Sequence, residues 1–193
     1  MRDLNIFRLI NKIEKSIIND SLLQISSEIV LFFKKNDYRF YISISDEQAE
    51  SRFPLIYLVS YDKSKILEER LKNENIYSAG IYFGFIKKGI FHLSLEGIEF
   101  LRDHQIFPNT NKITINDEGE KSVLYGNDVL KSLIIKIHPE LKRNDLLAVL
   151  NQKNEIIALA RAEIDYSSFH NLKLNQKIAR NLVDRGYYLR KKQ

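Results

Sequence analysis

The 193-residue chain carries 30 Lys and Arg against 25 Asp and Glu, a net charge of +5 that permits a polyanionic partner without demanding one. Its 44% hydrophobic content suits one large domain or two small ones that bury cores. Zero cysteines exclude a disulfide scaffold, a thiol nucleophile and any thiolate-ligated zinc or iron–sulfur site, and apolar runs broken by charge predict no membrane span or signal-peptide core, hence a cytoplasmic protein.

Ile6, Leu9, Ile10, Ile13 and Ile17 recur at three- and four-residue steps between Arg8, Lys12 and Lys15, which predicts an amphipathic helix at the N-terminus. Ile25, Ile29 and Phe32 fit a second helix, and residues 38–44 alternate as a strand. Residues 53–60, FPLIYLVS, are β-branched and aromatic after the break at Pro54, the composition of a central strand. A helix follows from Asp62, with Ile66, Leu67 and Leu71 on one face and Glu68, Glu69, Arg70 and Lys72 on the other. Residues 77–85 and 89–95 read as strands joined by a hairpin turn, and Ser94 or Leu95 leads into a helix whose Ile98 and Leu101 face inward.

Residues 107–120 hold Pro108, two asparagines and the acidic run 117–120, with one short strand at 112–115, and the domain boundary is placed there: 1–116 and 117–193. Val123, Leu124 and Tyr125 predict a short buried strand. Gly126 can turn the chain at positive φ, Asn127 is set to cap a brief helix, and Asp128 would face the positive end of its dipole. Residues 133–137 return to strand, and 146–150 with 156–164 form a hairpin around a polar turn. Residues 173–182 fit both helical spacing and alternation. Short strands closing on themselves with brief helices make a small pseudobarrel, because closure removes exposed edges. The fold class is α+β: an antiparallel-rich N-terminal sheet covered by helices, then the C-terminal barrel.

Positive charge is concentrated near the C-terminus, where Lys173, Lys177, Arg180, Arg185, Arg190, Lys191 and Lys192 face one acid, Asp184. Charge alone fits a solvated surface as well as a phosphate-binding one. Tyr166, Phe169, His170, Tyr187 and Tyr188 lie near these cations; one is expected to stack on a base and the rest to pack. His92, His104, His138 and His170 are scattered without metal-ligand spacing, and Gly80, Gly84 and Gly89 lack a following phosphate-binding helix. No nucleophile elbow or P-loop occurs, and carboxylate pairs such as Glu68 with Glu69 lie on charged helix faces. The expectation is no catalytic residue, no metal and no cofactor.

Three segments carry a resemblance. They are residues 124–132, LYGNDVLKS; the pattern of Phe83, Gly84, Phe85, Ile86, Lys87, Phe91, Leu93, Phe100 and Leu101; and residues 184–191, DRGYYLRK. Together, from about Tyr57 onward, they resemble the Nip-seven family of large-subunit ribosome-biogenesis factors, whose C-terminal part is a PUA domain, a small RNA-binding barrel. The resemblance implies a pre-PUA domain before a PUA domain, a strand at 173–182 and a short helix from Asp184. It implies a non-catalytic RNA-binding factor in pre-rRNA processing, nucleolar in a eukaryote, whose N-terminal domain docks a protein partner or the pre-ribosome. Gly126, Asn127 and Lys131 would line the RNA groove, with phosphate contacts from Lys173, Lys177, Arg180 and Arg185 aided by Lys131 and Arg161. One departure stands out. Ala158 and Ala160 occupy positions where the family commonly carries glycines, and their methyls would limit the approach of phosphate or base. The alternatives are therefore a protein-interaction adaptor with a decayed RNA groove, or an accessory subunit of an RNA-modification enzyme.

Overall fold

The structure, a computed structural model, describes residues 5–45 and 53–190; the side chain of Tyr188 and the residues Lys191 and Lys192 lie outside what is described. The chain divides into two compact units, Met1–Ile106 and Phe107–Gln193. No helix among the described residues is long and apolar enough to cross a membrane.

In the first unit, β1 (Asn5–Leu9), β2 (Tyr38–Ser45), β3 (Leu55–Ser60), β4 (Ile81–Lys87) and β5 (Ile90–Leu93) form an antiparallel sheet in sequential order. Helices α1 (Lys12–Leu23), α2 (Ser27–Lys35), α3 (Tyr61–Arg70) and α4 (Leu95–Asp103) complete it. The N-terminal residues, expected as part of a helix, begin as an edge strand instead. The helix starts only at Lys12 because Asn11 Oδ1 accepts from the Glu14 N–H at 2.9 Å while Glu14 Oε2 accepts from the Asn11 N–H at 2.7 Å, a reciprocal cap that sequence spacing of isoleucines does not reveal. Arg8 then binds both Glu14 oxygens, at 2.7 and 2.9 Å, and fixes the strand-to-helix corner. The other expected elements of this unit are present. Ser94 caps α4 by accepting from the Gly97 N–H, and Lys88 and Gly89 turn the β4–β5 hairpin at φ 50° and 73°. Fully buried Phe83 centres the core, its ring 5.5 to 6.2 Å from those of Phe33, Phe40, Phe91 and Phe100.

The second unit contains β6 (Lys112–Ile115), α5 (Asp117–Leu124), β7 (Val129–Leu130), β8 (Ile134–Ile137), β9 (Leu146–Leu150), β10 (Ile156–Ala162), α6 (Tyr166–Phe169), β11 (Lys177–Asp184) and α7 (Tyr187–Arg190). The strand order is β7-β11-β10-β9-β6-β8. Its two outer strands are joined in sequence by a single short 3-10 turn, Lys131–Leu133, so the sheet must curl until its edges meet, giving a nearly closed barrel. Strand β6 pairs with β8 and, in parallel, with β9. It belongs wholly to the barrel, which is why the units part after Ile106 and not at 116/117.

Two further expectations are corrected here. Val123, Leu124 and Tyr125 end a helix and are not a strand: Asn116 caps α5 through the Gly119 N–H at 2.8 Å, and the acidic run, assigned to the boundary segment, supplies Asp117, Glu118 and Glu120 to the first turn, where the dipole favours them. Asn127 caps no helix, because the chain passes directly into β7. Ala158 and Ala160, with Ala162 and Ala179, are buried in the barrel core beside Ile113, Val123 and Val149. Their methyls fill the interior and meet no ligand surface.

Candidate nucleic-acid interface

The turn at Gly126 closes α5 by backbone bonds. The Asn127 N–H donates to Ser122 O at 3.2 Å and the Gly126 N–H to Val123 O at 2.8 Å, the paired bonds of a Schellman cap, with Gly126 at φ 90° as the cap requires. Asn181 on β11 ties the turn to the barrel, its Nδ2 donating to Val123 O and Asn127 O and its N–H to Asp128 Oδ1 at 2.9 Å. From the other side Arg190 donates to Leu124 O and grips both oxygens of buried Asp184 at 2.9 Å. That bidentate bond holds the Arg190 guanidinium above its ordinary pKa. Gly186 lets these pieces approach, since a Cβ there would lie 2.0 Å from Leu124 O.

The eight residues singled out in the sequence fall into three groups along β11. At its start, Lys131 donates to His170 O and Leu172 O, at 3.1 and 2.8 Å, with its ammonium 5.2 Å from the Phe169 ring centre. Lys177 bridges Asp128 at 3.2 Å and Glu163 at 3.1 Å, and hydrogen bonds to Glu163 and then Asp128 raise its pKa above the usual lysine value. These two ammonium groups are already engaged by protein oxygens. Nearby Lys173 is exposed, without an acidic partner among the described residues.

In the middle, Arg161 on β10 lies directly opposite Arg180 on β11. Arg161 is half-buried and donates to Asn144 O at 3.0 Å; burial first, then the charge of Arg180, lowers its pKa, with Asp145 partly opposing. Arg180 is exposed. At the far end stand Gly126, exposed Asn127 and exposed Arg185. Lys177, Arg180 and Arg185 thus follow β11 and its end, and Asp128, two residues after Gly126, links Lys177 to the turn.

Most of what gathers beside the turn was not singled out. A cavity of about 570 Å³ is lined by Tyr125, Leu124, Ile157, the carboxylates Glu120 and Glu155, and the cations Lys121, Arg185 and Arg190. Tyr125, expected to be buried, is 76% exposed. Gly119 and Val123, four apart, are the buried positions of α5, and Tyr125 lies on the opposite face, a relation that exists only because the helix continues through Leu124. Among the aromatic residues near the cations, Tyr166, Phe169 and His170 pack on one another.

Known proteins share this architecture. Residues 111–193 match the family model described as the UPF0113 PUA domain. The chain is 24% identical over 172 residues to a UPF0113 protein of Archaeoglobus fulgidus, covering 89% of this chain and 92% of that one. It is 24% identical over 136 residues to the 60S ribosome subunit biogenesis protein nip7 of Schizosaccharomyces pombe, covering 70% and 73%. In fold it is similar to a conserved PUA domain protein from Thermoplasma acidophilum, with a TM-score of 0.62 at 17% identity over 95% of this chain and 97% of that one. Residues 111–193 thus resemble the UPF0113 PUA domain, and the likeness to UPF0113 and nip7 proteins extends over most of the chain.

Proposed function

We propose that the protein is a non-catalytic RNA-binding factor in pre-rRNA processing and large-subunit assembly, with RNA running along the β11 side of the barrel. The observation that carries this reading is the opposed pair Arg161 and Arg180, neither of which forms a salt bridge to a carboxylate among the described residues. Like charges directly across a ladder destabilise it, and a guanidinium pair of this kind is satisfied by a phosphate that accepts from both. Exposed Lys173 and Arg185 extend the row in either direction, and Gly126, Asn127, Lys131 and Lys177 shape its ends. Lys131 and Lys177 serve mainly to hold β7, β11 and the α6 loop together. The likeness to a biogenesis protein supports the cellular role, with the N-terminal unit docking a protein of the pre-ribosome. The adaptor alternative loses its argument, since Ala158 and Ala160 are core residues.

The test is fluorescence anisotropy with a single-stranded fragment of large-subunit rRNA precursor over a salt series. The double variant Lys173→Gln/Arg180→Gln is expected to weaken binding and to reduce the log–log salt slope by roughly 1.4, about 0.7 for each phosphate contact on a single strand. Unchanged affinity and slope would remove this face from consideration.

A further inference from the structure

The sheet of the first unit has two edges, and they are finished differently. At β5 the Phe91 N–H donates to Ser21 Oγ of α1 at 3.1 Å, so a helix covers that edge. At β1 the backbone is open. The Ile10 N–H donates to Phe40 O at 3.2 Å in the register of the β1–β2 ladder, and bonded and non-bonded pairs alternate along such a ladder. Ile6 and Arg8 therefore bond to β2, while the N–H and C=O groups of Phe7 and Leu9 point away from it. Leu9 O accepts from Arg8 Nη1 at 2.9 Å; the Phe7 N–H, Phe7 O and the Leu9 N–H have no hydrogen-bond partner among the described residues.

Edges are ordinarily blunted by a proline, a bulge or an unpaired charge. Strand β1 has no proline and pairs without a register shift, and its one charge, Arg8, is held by Glu14. On the two faces beside the open backbone, Ile6 and Leu9 are 39% and 40% exposed. The carboxylates tied to this corner are taken, Glu14 by Arg8 and Glu68 by Arg39 of the neighbouring strand. Exposed Lys12 and Lys15, in the first turn of α1, form no salt bridge among the described residues.

We propose that β1 is a docking edge for an extended segment of a partner protein, which adds as a further strand, sets apolar side chains on Ile6 and Leu9 and places an Asp or Glu beside Lys12 or Lys15. The unpaired N–H and C=O groups select an extended backbone, and the lysines select acidic residues. A second β1, NIFRL, would bring Arg8 and no carboxylate, so pairing of two β1 strands is not the match. The proposal rests on the reading that the N-terminal unit docks a protein, and it names the surface and the partner's chemistry.

The probe is a displayed library of random peptides about twelve residues long, selected on the full chain, with enriched peptides synthesised, labelled and measured by anisotropy. They are expected to combine β-branched or aromatic residues with Asp or Glu. A single N-methyl group walked along the peptide backbone is expected to weaken binding about tenfold at alternate positions and less than about threefold between them, as strand pairing requires. Leu9→Pro removes one edge donor and no hydrogen bond of the fold. It is expected to bind the same peptides at least about tenfold more weakly, with an unchanged circular dichroism spectrum. Lys12→Glu/Lys15→Glu is expected to weaken binding about fivefold, an effect that added salt reproduces in the wild type. Peptides that bind the wild type and Leu9→Pro alike overturn the edge and assign docking to another face. If Leu9→Pro alters the spectrum, the lysine pair decides, and unchanged binding by it overturns the edge. Failure to enrich any peptide overturns both the edge and the docking reading.

Discussion

Arg161 and Arg180 are direct partners in the antiparallel β10–β11 ladder, two positive side chains opposed on one barrel. Opposed like charges cost a sheet up to about 1 kcal/mol. Neutralising one should therefore raise stability while lowering affinity for RNA. Arg180→Gln is expected to unfold at a higher urea concentration than the wild type at low salt, by a few tenths of a kcal/mol to about 1 kcal/mol, with the difference shrinking as salt screens the pair. A variant that unfolds earlier than the wild type would show that Arg180 is part of the fold's support, and the phosphate role would lose its basis.

The glycines of the same corner are required for different reasons, and two substitutions separate them. Gly126 sits at φ 90°, so Gly126→Ala should cost about 1–2 kcal/mol from left-handed backbone strain; the added methyl would also meet the Arg190 guanidinium at 3.1 Å, a flexible neighbour that can shift. Gly186→Ala should cost more, because its Cβ would lie 2.0 Å from a backbone carbonyl that cannot. Urea titrations of the two variants give the order; a Gly186→Ala protein as stable as Gly126→Ala would contradict the close approach.

Much of the fold was legible because hydrophobic periodicity and caps agree locally. Ser94 before LEGIEF, the alternation through Tyr38–Ser45 and the polar turn between β9 and β10 each have one reading. Two places were misread for one reason. Asn11 and Asn116 are helix caps whose signal was outvoted, by isoleucine spacing in the first case and by a dense acidic run in the second. The site was legible only as charge. Sequence shows how many cations β11 carries, but not that Lys177 lies between Asp128 and Glu163, partners contributed by segments remote in the chain. Nor does it show which way Tyr125 points, which depends on α5 continuing through Leu124.

The Asp184–Arg190 pair closes the barrel around α5, and its asymmetry makes a separate prediction. Asp184 is buried while Arg190 comes from the short last helix, so removing the arginine leaves a buried carboxylate without its charged partner, beside the Asn181 amide. Arg190→Ala is expected to lower the thermal midpoint more than Arg143→Ala, whose side chain is exposed. The double variant Asp184→Asn/Arg190→Ala should recover part of the loss, since the amide carries no charge to leave unpaired. Scanning calorimetry on the three proteins decides it: no recovery in the double variant would mean that Arg190 acts through Leu124 O alone.

The corner between β1 and α1 supplies a pH test that does not involve the barrel. The carboxyl of Glu14 is held below its ordinary value of 4.5, first by the hydrogen bonds from Arg8, against partial burial, with the Asn11 N–H adding to the effect. A depressed carboxylate binds its proton less readily in the folded than in the unfolded chain, so its contribution to stability is complete above about pH 4.5 and is lost as pH falls through the lower, folded value. Arg8→Gln removes the main cause. The stability gap between wild type and this variant, measured by urea unfolding, should be constant near neutrality and narrow as pH is lowered below the ordinary glutamate range. In a carbon-detected NMR titration the Glu14 carboxyl of the variant should move up into that range, because the remaining Asn11 hydrogen bond is opposed by the larger effect of partial burial. A gap that widens on acidification would reverse the sign of the linkage and exclude the Arg8–Glu14 pair as the determinant of this corner.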